Sequence, residues 1–339
     1  MSHNLFKKAV IFTDIHFGLK SNSAVHNEDC LAFVKWATKM AIAEGCETAM
    51  FLGDWHDNRA NINIITLNYS LQALEHLNQN FSKVFFIPGN HDLYYRDKRD
   101  IQSVEWAKHL SNVVICNNWH TEGDVVFAPW LVQDDHEHLK TLKGKYLFGH
   151  FELPSFMMNA KVEMPHTSDI SIEDMNRFES VFSGHFHMRQ KKGNVQYIGN
   201  CFPHNFADEG DSSRGAMILE WGKQPVFKAW PDQPLYRVLK LSDVLEDTDK
   251  KLKQNMYSKV NIDIDISYEE ALFIKETFIT QYNLREMSLI PVSKGSVVQD
   301  LAPGDVKFES VDQIVTQQIK DIKSDFYDPQ LLLDIYRTL

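Results

Sequence analysis

Asp14 and His16, two residues apart, follow the apolar run 9–12. At a strand end, a carboxylate and an imidazole so spaced can point into one cavity and hold a hard or borderline cation. Alone, the tripeptide is common, and a solvated loop is its default reading. Two richer clusters follow similar runs: Gly53-Asp54-Trp55-His56-Asp57 after 48–52, and Gly89-Asn90-His91-Asp92 after 83–87. Asp54 has two oxygens with which to bridge two metals, and the glycine before it allows close backbone approach. The third cluster offers an amide oxygen as ligand, an imidazole able to transfer a proton, and a carboxylate able to fix that imidazole's tautomer. Gly149-His150 and Gly184-His185-Phe186-His187 complete the series. Residues two apart in an extended chain point the same way, so His185 and His187 can face one metal pair. His120, His136, His138, His166 and His204 lack such a setting and are read as surface or packing residues.

Each cluster needs a rigid element beneath it. Helical patterns over 28–43 and 64–77 alternate with the runs 9–12, 48–52 and 83–87. That order implies a parallel sheet, and in such sheets ligands gather outside the carboxyl ends of the strands. Further strands are expected at 125–127, 146–148, 180–182, 195–198, 216–221 and 225–229, with little helix between them. The fold class is therefore α/β, with two packed mixed β-sheets flanked by helices. The pattern breaks at Pro231 and Pro234. Beyond, 259–266 reads as a half-exposed strand, 268–282 as a helix and 287–292 as a strand, a small α+β module. After Pro303-Gly304, Phe308, Val311, Ile314, Val315, Ile319 and Ile322 recur at helical spacing. The division expected is 1–232, 236–300 and 305–339.

The 339 residues are 43% hydrophobic, enough for one large domain and one or two smaller modules, which excludes a disordered chain or a disulfide-stapled mini-protein. No apolar run approaches the roughly 18 residues of a membrane span, and the polar start lacks a signal-peptide core. A soluble cytoplasmic protein is expected, in the host cytoplasm if a phage encodes it, with no membrane partner. Cys30, Cys46, Cys116 and Cys201 contain no Cys-x-x-Cys pair and read as reduced thiols. A formal charge of −11 argues against a general polyanion-coating protein, but leaves room for a local basic groove. Arg96, Lys98 and Arg99 follow the His91 loop, and Arg189, Lys191 and Lys192 follow the His187 loop. Such residues suit a phosphate track, although a solvated charged face reads equally well.

The clusters lie 40, 36, 60 and 35 residues apart, counted from Asp14 through Asp54, Asn90 and His150 to His185. In this order, Asp-x-His, Gly-Asp-x-x-Asp, Gly-Asn-His-Asp, Gly-His and Gly-His-x-His resemble the calcineurin-like metallophosphoesterase superfamily over Asp14 to His187. The resemblance implies that superfamily's sandwich, with two divalent ions per chain and manganese as the expected metal. Carried over residue by residue, it puts Asp14, His16, Asp54 and His187 on one ion, and Asp54, Asn90, His150 and His185 on the other. His91 would then be the proton donor to the departing sugar oxygen, with Asp92 holding its ring.

The surroundings of these motifs, among them Phe17-Gly18-Leu19-Lys20, Phe151-Glu152-Leu153 and Gln196-Tyr197-Ile198-Gly199, resemble the SbcD-type nucleases of DNA double-strand-break repair, their phage branch above all. That likeness implies 3′ to 5′ exonuclease and single-strand endonuclease activity on DNA. It also implies a homodimer, a capping module over 236–300, and a helical segment at 305–339 that docks on an SbcC-type coiled-coil ATPase. The chain departs from many cellular relatives in carrying Asp57 where they have a histidine, with His56 one position earlier. Asp57 would then orient His91 or a water, or Arg59 would take the phosphate contact. Two alternatives stay open: a small-substrate phosphodiesterase or phosphatase, and a mainly structural assembly subunit.

Overall fold

The computed structural model describes residues 4–133, 135–158, 162–165 and 170–291, together with the helical residues Ile319, Gln330, Leu332 and Leu333. The chain divides into a unit of Met1–Pro291 and a second of Val292–Leu339. Apart from those four residues, the segment 305–339 lies outside the described residues, as do His166 and 292–300. All the elements below belong to the first unit.

One six-stranded sheet contains β1 (Lys8–Phe12), β2 (Thr48–Leu52), β3 (Lys83–Ile87), β4 (Val113–Ile115), β11 (Gly215–Glu220) and β12 (Val226–Ala229), in the order β12-β11-β1-β2-β3-β4. The second contains β5 (His120–Glu122), β6 (Val125–Phe127), β7 (Gly144–His150), β8 (Phe178–Gly184), β9 (Gln190–Lys192) and β10 (Val195–Tyr197), in the order β5-β6-β7-β8-β10-β9. β1 through β4 run parallel, as do β6, β7 and β8, while β11 is antiparallel to β1 and β5 to β6. Both sheets are mixed, as expected.

The period-2 alternation of a strand explains how two cores arise from the same runs. Val10, Phe12, Ala49 and Phe51 face outward against the helices Ala24–Ala43 and Ile64–Asn80. Ile11, Met50, Leu52 and Phe85 face inward against Phe127, Tyr146 and Phe148 of the second sheet. Phe85 stacks on Phe127 at a ring separation of 4.2 Å, directly bridging the sheets. A strand buried on both faces must be apolar throughout, which is why these runs carry no polar alternation. The second sheet's far face packs on Phe151, Phe156 and Met175, from loops and a short 3-10 helix.

Helix starts follow capping chemistry. The first long helix begins at Ala24, four residues before the expected start, because the Ser23 side chain accepts the His26 N–H. Asn63 caps the second helix by accepting the Ile65 N–H.

A third sheet, β13 (Leu235–Lys240), β14 (Met256–Ile262) and β15 (Glu286–Pro291), is fully parallel and has its own core of Leu241, Val244, Leu252, Met256, Val260 and Met287. The helix Tyr268–Tyr282 carries a capping box, with Ser267 and Glu270 satisfying each other's backbone N–H. β14 starts and stops before the expected 259–266, because both neighbours pair with it only from Met256 to Ile262. β13 itself was not expected from the sequence. Arg285, just before β15, ties this sheet to the first long helix by donating to both Asp29 oxygens at 2.5 and 2.7 Å, and the Tyr236 ring of β13 packs on Phe206.

Candidate metal centre

The five motif clusters meet at the carboxyl ends of β1, β2 and β3 in one sheet and of β7 and β8 in the other. The loops after β1 and β2 are zipped together by backbone: Asp14 N–H donates to the Gly53 carbonyl at 2.9 Å, and Ile15 and His16 N–H donate to the Asp54 carbonyl at 3.1 Å. Across the sandwich, His150 Nδ1 lies 2.7 Å from the Leu52 carbonyl. That carbonyl accepts only, so Nδ1 carries the proton and Nε2 faces the centre. Gly53 makes this approach possible: it sits at φ +102°, and a Cβ there would meet His150 Nδ1 at 2.2 Å.

Four of the expected ligands, Asp14, His16, Asp54 and His185, also lie in the left-handed backbone region, at φ 53°, 53°, 61° and 90°. Non-glycine residues adopt it rarely and at a cost, and such strain gathers where side chains must be aimed.

Asp54 is the hub. Its Oδ1 accepts the His91 backbone N–H at 2.9 Å, while Oδ2 lies 3.3 Å from His150 Nε2 and 3.8 Å from His16 Nε2. On one side, His150 Nε2 and His185 Nδ1 each lie 3.1 Å from the Asn90 amide oxygen. On the other, His16 Nε2 and His187 Nε2 stand 3.9 and 3.8 Å from Asp14 Oδ1. Ligand atoms of Asp54, His150 and His185 fall within 4.8 Å of one another, and so do those of Asp14, His16 and Asp54. The two groups share Asp54, as a two-metal site of this kind requires.

Electrostatics point the same way. Burial works to raise the Asp54 carboxyl, but the imidazoles of His150, His16 and His91 outweigh it and hold Asp54 well below the usual carboxylate range. Burial likewise works to neutralise His150, yet Asp54 and Asp14 raise it to about 9. His16 is raised too: burial opposes, while Asp57, Asp54 and Asp14 prevail. A nest of buried carboxylates demanding positive charge suits divalent cations. His16 Nε2 is buried without a hydrogen-bond partner among the described residues, as the metal-facing nitrogen of an imidazole would be. The donor set of imidazole, carboxylate and one amide fits two borderline cations.

One expected role changes. Asp92 does not hold the His91 ring. Fully buried, it accepts backbone N–H groups from Trp55 at 3.1 Å, His56 at 2.9 Å and Gly89 at 2.9 Å. It therefore clamps the loop after β2 to the loop after β3. Burial and the neighbouring Asp54 charge push Asp92 up, against those three donors. The His91 ring is instead held through Nδ1 by the Asp57 main-chain carbonyl at 2.6 Å, and the Asp57 carboxylate reaches His16 Nδ1 at 3.5 Å. His56 points away from the centre, its nitrogens at 2.7 Å from Ser103 Oγ and 2.8 Å from Ser70 Oγ.

The expected phosphate-track residues divide. Arg99 donates to the Trp130 carbonyl at 2.8 Å and pairs with Asp135. Arg189 donates to the Ile198 and Ser213 carbonyls at 3.2 and 2.9 Å and lies over the Phe227 ring. Lys192 donates to the Ser155 carbonyl. All three are engaged by the fold, each donating to at least one main-chain carbonyl. Arg96 and Lys191 are exposed and Arg59 is half-buried. A cleft of about 250 Å³ opens beside His185 and His187, lined also by Met158, Phe186, Asn205 and Arg214.

His204, read from the sequence as a packing residue, lies against the centre, its ring 5.5 Å from that of His16 and 5.4 Å from that of His187. Its surroundings, Phe202-Pro203-His204-Asn205, contain no ligand motif, so no local signal marks it.

The family described as calcineurin-like phosphoesterase matches residues 7–189. The chain is 26% identical over 216 residues to Exonuclease subunit 1 of Enterobacteria phage T4, a match covering 61% of this chain and 62% of that protein. The alignment thus spans somewhat under two thirds of the relative's length. The solved structure of Pseudomonas putida nuclease MPE aligns at 15% identity with a TM-score of 0.31, over 62% of this chain and 84% of the other. Among the described residues, no helix is long and apolar enough to cross a membrane.

Proposed function

The chain belongs to the calcineurin-like phosphoesterase family, and from that premise we propose that it is a two-metal DNA nuclease subunit. It cleaves phosphodiesters as a 3′ to 5′ exonuclease and single-strand endonuclease, in recombination and repair, with an SbcC-type ATPase. The observation that carries the hydrolytic reading is Asp54, shared between one ligand group with Asp14 and His16 and another with His150 and His185. The DNA reading draws support from the motif surroundings and from the printed name of the phage relative.

In this reading, Asp14, His16, Asp54 and His187 hold one cation, and Asp54, Asn90, His150 and His185 the other, with manganese the expected metal. When bound, the pair polarises the phosphodiester, acidifies the attacking water and stabilises the leaving oxygen. The chain's own residues do the rest. His91 keeps its Nδ1 proton on the Asp57 carbonyl and presents Nε2 to the leaving oxygen, to which it gives a proton. Asp57 turns His16 so that Nε2 faces Asp14 and Asp54. Asp92 holds the two loops at fixed separation. Of the expected track, Arg59, Arg96 and Lys191 remain for phosphate contacts. The segments 236–300 and 305–339 serve as cap and ATPase dock, in a homodimer.

A second reading, a small-substrate phosphodiesterase, is favoured by the acidic net charge of −11 and by the inward turn of Arg99 and Arg189. One assay separates the two: the full chain with manganese on blunt duplex DNA, single-stranded DNA and a small chromogenic phosphodiester, with and without the partner ATPase. DNA cleavage that the ATPase stimulates supports the nuclease. Full activity on the small ester with none on DNA, ATPase present, overturns it.

A further inference from the structure

The histidine outside the five motifs carries the inference. His204 sits in the loop between β10 and β11 and is 1% exposed. Its backbone N–H donates to Asp208 Oδ2 at 2.8 Å, Asp208 Oδ1 pairs with Arg214 at 3.0 Å, and Arg214 Nη1 donates to the His187 carbonyl at 2.7 Å. The loop carrying His204 is thereby fastened to the loop carrying His187.

The ring itself is unanchored by hydrogen bonds. Neither Nδ1 nor Nε2 of His204 has a hydrogen-bond partner among the described residues. Other buried histidines use fixed partners: His26 Nε2 lies 3.0 Å from the His16 carbonyl, His56 contacts two serines, and His150 contacts the Leu52 carbonyl. Buried polar atoms are rarely left unpaired, and a pair of unpaired ring nitrogens beside the rings of His16 and His187 calls for a missing partner. One nitrogen each from His16, His187 and His204 lies within 4.8 Å of the others. A small inward movement brings all three to the roughly 2.1 Å reach of an imidazole–metal bond.

We propose that His204 is a further imidazole ligand of the cation held by Asp14, His16, Asp54 and His187. The inference rests on the metal-binding part of the reading above. That position would then offer its cation three imidazoles and two carboxylates. The other position, with two imidazoles, one carboxylate and one amide, stays more open. More nitrogen donors shift the first position toward iron, cobalt or zinc relative to manganese or magnesium, so the two sites differ in metal preference.

The test compares the full-length wild type with His204→Leu. Calorimetric titration of the chelator-treated proteins with zinc reads the two sites separately, and thermal unfolding without metal checks that the variant is folded. The expected result is that one of two sites weakens by about 10- to 100-fold or more while the other keeps its affinity. A second measurement needs no variant to fold: in ¹⁵N-histidine spectra of the wild type, zinc should shift a ring nitrogen of His204 by direct coordination. Two sites of unchanged affinity in the variant, or a His204 ring that zinc leaves unshifted, overturn this inference alone. A wild type that takes up no zinc and no manganese overturns the two-metal reading, and this inference with it.

Discussion

The Nδ1 atom of His91 lies 2.6 Å from the main-chain carbonyl oxygen of Asp57. The contact ties the proposed proton donor to the backbone of the neighbouring metal loop, so its orientation does not depend on an acidic side chain. His91→Ala should lower kcat by about 10²- to 10⁴-fold, the usual scale for a positioned proton donor. Calorimetry should find both cations still bound, since the His91 ring stands outside the two ligand groups.

Asp57→Ala separates backbone from side chain. The carbonyl that holds His91 remains, while the carboxylate 3.5 Å from His16 Nδ1 is lost. The expected result is weaker metal binding, by about 10- to 100-fold as for removal of an outer-shell partner. At saturating metal kcat should stay close to the wild-type value, because the His91 ring keeps its carbonyl partner.

Asp92 accepts three buried backbone donors. Asp92→Ala strands them at about 1–3 kcal/mol each, so chemical denaturation should show a loss of about 3 kcal/mol or more. Asp92→Asn keeps one acceptor oxygen and should lose less.

Gly89 touches Asp54 so closely that a Cβ would meet Asp54 Oδ1 at 2.2 Å and its backbone nitrogen at 2.4 Å. Gly89→Ala must displace the residue common to both ligand groups. Phosphodiesterase activity should fall on the order of 10³-fold, the scale for removing an electrostatic catalytic element, and both metal affinities should fall together in calorimetry.

Arg99 offers a test with a pH sign. Burial works to raise Asp135, but Arg99, the Val132 N–H and the Trp119 indole N–H outweigh it and lower its pKa. A carboxyl lowered on folding stabilises fully above its ordinary value, and that stabilisation is lost as pH falls through the folded value. Arg99→Ala should therefore cost about 2 kcal/mol at neutral pH, as for a charge-assisted hydrogen bond. The gap between variant and wild type should close in acid, below the ordinary carboxylate range. The salt dependence of DNA binding should stay unchanged; a shallower salt slope would return Arg99 to the phosphate track.

The strand ends that carry the seven expected ligands were legible because each motif closes a short apolar run. Such a run, buried on both faces, can only be a central strand, and its first polar residues must emerge at the strand's end. That Asp14 and Asp54 would share an ion came from the family resemblance, and the structure groups His185 with Asp54 and His150 while His187 falls with His16 and His204. The fold class followed from the same runs and the helical patterns between them. Less legible were β4, β5 and β9, three-residue edge strands too short to show a period, and β13, which exists because β14 pairs with it.

What only the tertiary structure decided was direction. Motif order names the donor atoms carried by each strand end, but not which partner from elsewhere in the chain turns each one. Asp92 clamps two loops in place of holding the His91 ring, because the backbone donors of Trp55, His56 and Gly89 surround its carboxylate and the Asp57 main-chain carbonyl reaches His91. Arg99 is drawn to the Trp130 carbonyl and Asp135, and Arg189 to the Ile198 and Ser213 carbonyls, partners outside the local motif of either arginine. His204 came to the metal centre through Asp208 and Arg214, a chain of contacts among residues whose local sequence contains no motif. Local sequence sets what a side chain can do, and the remote residues packed around it select which of those things it does.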